Sequence, residues 1–233
     1  MEVELKEIEL WKRIRPNVKD NFNYDEEWEK AIQLFSQRYD RKFFNPIIEI
    51  LKSQKSQGEG FAILTIQCAL NESLASFRQG RIFNHRSNKN SPTYEYRNSS
   101  NLFIWFLLNE SIFKNNFWKL EKGVKLVNSP FSAEDFYADV RCGLIHEART
   151  KNDWHVNTTK NSVKTSKVFL DKRGNKISIY RTILHYRLKQ LMQDYCNELR
   201  ATDQNGAILR KNFGRKMDHL FYMPIDLNCQ WWR

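Results

Sequence analysis

Arg141 and His146 are separated by four residues in the stretch D-V-R-C-G-L-I-H-E-A-R-T, residues 139–150. These two side chains complement each other at a phosphodiester. An arginine stays cationic at any physiological pH and can fork two hydrogen bonds onto phosphate oxygens. A histidine titrates near neutrality and can take or give a proton. With 17 arginines and 5 histidines in 233 residues, chance supplies about 0.4 such pairs at any one separation. Spacing alone is therefore weak, and context has to carry the pair. A looser spacing also matches Arg149 with His155, but that match crosses a predicted helix end at Asn152-Asp153.

The element holding the pair has clear start signals. Ser132 is placed to cap a helix, and Asp135 three residues later completes a capping-box pattern. Phe131 before the cap and Phe136 after it fit a hydrophobic staple. Phe136, Val140 and Leu144 recur every fourth residue and predict one apolar arc. Asp135, Asp139, Cys142 and His146 fall on the opposite, polar arc, while Arg141 borders the apolar one. On an ideal α-helix Arg141 and His146 lie about 140° apart around the axis. A single helix is an awkward site at that angle, and two antiparallel copies would gather two of each side chain. Cys142 and Gly143 keep a path open for close approach of another backbone. A glycine inside a helix costs up to about 1 kcal/mol against alanine, so Gly143 needs a packing or functional return.

Elsewhere the periodicity predicts helices over 25–39, over 41–54 with Pro46 in the first turn or at a kink, over 61–77, over 101–118 and over 181–201. The 101–118 segment is apolar around most of its circumference and is expected to be the most buried. Residues 84–100 read as a polar loop and 119–131 as a connector. A β-hairpin is expected over 166–180 with its turn at Asp171–Asn175. The 201–233 tail, which ends in two tryptophans, is expected to dock on the core or on a partner.

Charge is distributed unevenly. Residues 1–140 carry 20 Lys+Arg against 19 Asp+Glu, whereas residues 141–233 carry 18 against 8, so the excess of +10 begins at Arg141. A basic half predicts a polyanionic partner, most commonly nucleic acid, against the plainer reading of a solubilising surface. Arg149, Lys151, Lys160, Lys164, Lys167, Lys172, Arg173 and Lys176 form the basic run after the pair. Of these, Arg149, Lys151, Lys172 and Arg173 are expected to contact nucleic-acid phosphates, with Trp154 and His155 stacking a base. The four cysteines have no metal-ligand or disulfide spacing, so no metal and no cofactor is expected. The longest apolar run, Leu102–Leu108, is a third of a membrane span. With no secretory pattern at the N-terminus, the expected location is cytoplasmic and away from membranes.

V-R-C-G-L-I-H-E-A on a late helix of an all-α chain closely resembles the HEPN superfamily, whose motif is an arginine, four to six residues, then a histidine. The likeness is strongest over about residues 132–150 and extends more loosely over 25–200. It implies an α-helical bundle that dimerises with motif helices face to face, here with a short β-hairpin inserted before the last long helix. It implies one domain over 1–233, with its core at about 25–200 and the tail at 201–233. It also implies a metal-independent endoribonuclease, often part of toxin–antitoxin or antiphage defence with a dedicated partner, and Arg141 and His146 as the catalytic pair. Where many active members have Asn, Asp or His directly after the arginine, this chain has Cys142. The alternatives are a non-catalytic module of the same fold that binds RNA, a nucleotide or a partner protein, and a structural helical protein whose motif is coincidental.

Overall fold

The computed structural model describes residues 2–18, 20–53, 58–125, 127–158 and 166–223. The chain is mainly helical, with 61% helix against 12% strand, and the strands form small separate sheets. In chain order the elements begin with α1 (Glu2–Ile14), α2 (Glu26–Tyr39), a π-helical turn (Asp40–Phe44), α3 (Asn45–Lys52) and α4 (Glu59–Gln79). Next come β1 (Ile82–Phe83), β2 (Glu95–Tyr96), α5 (Ser100–Asn109) and β3 (Phe117–Trp118). Then follow β4 (Leu120–Glu121), β5 (Val124–Lys125), β6 (Phe131–Ser132), α6 (Ala133–Asp135), a π-helical segment (Phe136–Cys142) and α7 (Gly143–Glu147). The chain continues through β7 (Trp154–Asn157), β8 (Leu170–Arg173), β9 (Lys176–Tyr180), α8 (Arg181–Arg200) and α9 (Gln204–Leu220).

Asp25 caps α2 by accepting from the Trp28 amide at 3.0 Å. The expected break before 41 is instead a π turn running directly into α3, with Pro46 in the first turn of that helix. Pro46 has no N–H, and its ring would collide with the Lys42 carbonyl in a regular helix; the π-helical winding falls where that regular bond is missing.

The chain sorts into two compact units. The first comprises Met1–Arg41, Leu74–Arg97 and Met192–Arg233. Its core is aromatic: Phe35 packs on Phe77 at 4.7 Å, Phe213 at 5.3 Å and Tyr195 at 5.8 Å between ring centroids. The expected tail is in fact a core helix as far as it is described. Within α9, Ala207, Arg210, Phe213 and Met217 are all buried. An arginine within the apolar stripe and two internal glycines hide the helical period there. The chain's first residues also form a helix, α1, which buries Trp11 and Ile14.

The second unit comprises Lys42–Ser73 and Asn98–Leu191. Here Phe117 meets Phe136 at 5.2 Å, Phe136 meets Trp154 at 5.4 Å, and Phe113 meets Phe169 at 5.6 Å. α5 is shorter than its apolar run predicts and stops at Asn109. It buries Leu102, Phe103, Phe106 and Leu107, while Ile104, Trp105 and Leu108 line a surface cavity of about 640 Å³. The expected hairpin is present as antiparallel β8–β9, with Arg173 opposite Lys176 across a turn at Gly174. The structure adds a parallel strand, β7, to give the order β7-β9-β8. Among the described residues no helix is long and apolar enough to cross a membrane.

Candidate functional site

Ser132 starts the motif helix as its sequence predicts, accepting from the Asp135 amide at 3.1 Å. The staple residues Phe131 and Phe136 both pack on Phe117 and on Trp154. The helix is not regular, because Phe136–Cys142 is wound as π-helix. The apolar arc survives this looser winding: Phe136, Val140 and Leu144 are all buried. On the other side Asp135 and His146 are exposed, with Asp139 and Cys142 half-buried. The angle expected from ideal α-helical geometry does not apply to the wound portion that ends just past Arg141.

The helix ends at Glu147, five residues before the predicted stop, with Ala148 left-handed at φ 55°. The chain then folds back on the helix it has just left. The amide of Lys151 donates to the Asp139 carbonyl at 3.0 Å, and the Asn152 side chain donates to the Asp139 carboxylate at 3.0 Å. This explains Gly143. A Cβ there would sit 2.6 Å from the Arg149 carbonyl oxygen. The backbone that approaches closely is the chain's own.

Arg141 is half-buried and engaged. Its Nη2 donates to Glu72 Oε2 on α4 at 2.9 Å. The guanidinium lies over the Tyr137 ring, 5.5 Å from the centroid, and the Tyr137 and Ser99 hydroxyls are 3.2 Å apart. Burial opposes the arginine's charge, but the hydrogen bond and charge of Glu72 outweigh it, so the Arg141 pKa is raised. Burial also pushes up the Tyr137 hydroxyl, and pushes the Cys68 thiol to about 12. Both groups are neutral at physiological pH. The charged members of the cluster are thus Arg141 and Glu72. Glu72 lies 69 positions from Arg141, and nothing in the local sequence marks it. The same holds for Ser99.

His146 is on the exposed side of α7, next to Ile145, which is 49% exposed. Arg149 is exposed and lies 3.7 Å from Glu147, and Lys151 pairs with the same carboxylate at 2.5 Å. Trp154 is corrected from a base-stacking residue to a core residue. It is buried, its ring filled by contacts with Phe131 and Phe136. His155, the next residue, is exposed. Strand register places His155 opposite Ser178, Asp171 opposite Ser178, and Arg173 opposite Lys176. Alternation therefore collects His155, Arg173 and Lys176 on the outer face of the sheet, whereas Lys172 shares the row of buried Trp154 and Ile177. Arg173 is partnered by Asp171 at 2.9 Å. Lys160 and Lys164 lie outside the described residues.

Part of the C-terminal basic excess is paired with acids or buried. Besides Arg141, Arg181 pairs with Glu59 at 3.2 Å and Arg200 with Glu29 at 2.8 Å. Arg210 and Arg215 are buried on backbone carbonyls. The uneven charge is thus in part a division of labour between acids early in the chain and arginines late in it. Among the described residues no group of three or more His, Cys, Asp or Glu side chains is placed to hold a metal ion.

No family model matches the chain, and neither a curated protein nor a solved structure resembles it significantly.

Proposed function

We propose that this protein is a metal-independent endoribonuclease of the HEPN type, acting in the cytoplasm as part of a toxin–antitoxin or antiphage system. The observation that carries the reading is the division of the motif helix: an exposed His146 and, on the same helix, an arginine held in place by a single hydrogen bond to a carboxylate. In the proposed reaction a histidine takes the proton of the ribose 2′-hydroxyl. The 2′-oxygen attacks phosphorus, the bond from phosphorus to the 5′-oxygen breaks, and that oxygen is protonated. The products are a 2′,3′-cyclic phosphate and a 5′-hydroxyl. Arg141 offsets the charge that builds on the phosphate oxygens. A second copy of the chain, meeting this one through the helix face that carries Ile145, supplies the second pair. Arg149, Arg173 and His155 contribute contacts to the RNA backbone and bases.

The test is RNA cleavage in the presence of EDTA. His146→Ala and Arg141→Ala are each expected to lower the rate by about 10²–10⁴-fold while leaving the circular dichroism spectrum and the dimer unchanged. Cleavage that survives both substitutions refutes the assignment, and a monomer by light scattering refutes the composite site. A second reading, a non-catalytic RNA-binding module of the same fold, is favoured by one observation: Glu72 already neutralises Arg141. That reading predicts salt-sensitive binding without turnover.

A further inference from the structure

Arg141 exposes 18% of its side chain and Glu72 exposes 21%. A guanidinium in such a place needs an anion beside it, because an uncompensated charge removed from water is costly. Glu72 meets that need with a single hydrogen bond, from Nη2 to Oε2. The other N–H groups of Arg141 donate to no protein oxygen among the described residues. The Tyr137 ring covers one face of the guanidinium and is itself tied to Ser99. The carboxylate is carried by α4, a 21-residue helix whose Gln67 side chain donates to the Arg181 carbonyl at 2.7 Å. One edge of the fork is therefore clamped from a long helix, and the remaining N–H groups, beside the Cys142 thiol, reach no protein oxygen among the described residues.

We propose that Glu72 is the resident counter-ion and positioning residue of Arg141: it fixes the fork with an edge free for a phosphodiester, at the expense of affinity for that phosphodiester. The proposal rests on reading Arg141 as a phosphate-binding group. An anion that takes the open edge shares one guanidinium with the carboxylate, at a separation of about 5–6 Å. At the intermediate dielectric of a half-buried site, repulsion at that distance weakens binding about three- to tenfold. Glu72→Gln keeps an oxygen to accept from Nη2 and removes the charge. The variant should bind nucleic acid more tightly and orient Arg141 less firmly.

The deciding experiment is a double-mutant cycle on the full chain, read as fluorescence anisotropy of a labelled 2′-O-methyl RNA oligonucleotide at low salt. That probe has no 2′-hydroxyl to react, so binding is measured apart from cleavage. E72Q is expected to tighten binding about three- to tenfold, and the same change in an R141A background to alter it less than about twofold. On cleavable RNA, E72Q should lower both KM and kcat, a split that a purely structural role would not produce. The proposal falls if E72Q leaves affinity unchanged or weakens it, if the tightening persists without Arg141, or if the wild-type chain does not bind the oligonucleotide. Should E72Q fail to fold by circular dichroism, E72A enters the same cycle. Wild-type protein that binds with the expected coupling but never cuts RNA would sink the ribonuclease reading and leave the counter-ion assignment standing.

Discussion

Arg210 is fully buried and donates to four main-chain carbonyls, those of Asn21, Phe22, Leu199 and Ala201. It ties the segment before α2 to the turn between α8 and α9, and burial lowers its pKa. Replacement by methionine keeps the stem and strands the four carbonyls. We expect Arg210→Met to lose about 3 kcal/mol or more of stability in urea unfolding, with Arg210→Lys intermediate because one ammonium cannot span the same acceptors. At Arg141 the residue type was legible as chemistry from the sequence, and so was the polar placement of His146. That Arg141 is clamped by Glu72 was not, because the partner comes from a helix 69 residues earlier. Trp154 failed as a base stacker for a related reason: its neighbours in sequence are polar, while its neighbours in space are Phe131 and Phe136.

The motif helix illustrates how an element depends on the chain that follows it. Its cap and buried stripe were visible in the order of residues, since each is set within a turn or two, whereas the two staple phenylalanines find their recorded ring contacts at Phe117 and Trp154. The π-helical winding over Phe136–Cys142 and the early stop at Glu147 were not visible. Both accompany a fold-back that bonds Lys151 and Asn152 to Asp139. Gly143 is where this can be tested. Alanine in a helix interior normally gains up to about 1 kcal/mol over glycine. Here the added methyl meets the Arg149 carbonyl oxygen at 2.6 Å. Gly143→Ala should therefore destabilise, by about 1–3 kcal/mol, seen as a lower melting temperature. A stabilised variant would mean the fold-back is not held in solution. β7 escaped the sequence reading because its pairing is parallel and non-local, with β9, and four residues give little periodicity to read.

At the scale of the whole molecule, acid acts through named groups in each unit, and burial lowers a histidine pKa in both, at His185 in the second and at His219 in the first. In the second unit His185 is 1% exposed. Burial, with a contribution from Lys189, holds its pKa near 4 against an ordinary 6.5. The unfolded chain takes up this proton as pH drops through 6.5, and the folded chain resists it until about 4. The stability from keeping the ring neutral is full above pH 6.5 and is lost as pH falls across that window, by up to about 3 kcal/mol. In the first unit the hydrogen bond from Arg200 holds Glu29 near 2, against the opposing effect of burial. Its stability is present above 4.5 and lost only below that value. Hydrogen exchange read by mass spectrometry should therefore show peptides around His185 losing protection between pH 6.5 and 4, after correction for the intrinsic exchange rate. His185→Gln should flatten the response of the second unit. A loss that is unchanged by that substitution would contradict the assignment.

Locally encoded features came from the sequence alone: the helical class, the cap of the motif helix, its buried stripe, the hairpin turn, and the presence of an arginine–histidine pair on one helix. Each depends on propensities and periodicities that act over one or two turns. Tertiary structure decided what each side chain has as company. It turned the basic excess partly inward onto Glu29, Glu59 and Glu72, made the expected tail a core helix, and buried Trp154. It also left His146 in solvent while clamping Arg141. The physical reason is that charge pairing and ring packing join residues far apart in the chain, and one-dimensional order carries no record of which distant partner will satisfy a buried charge.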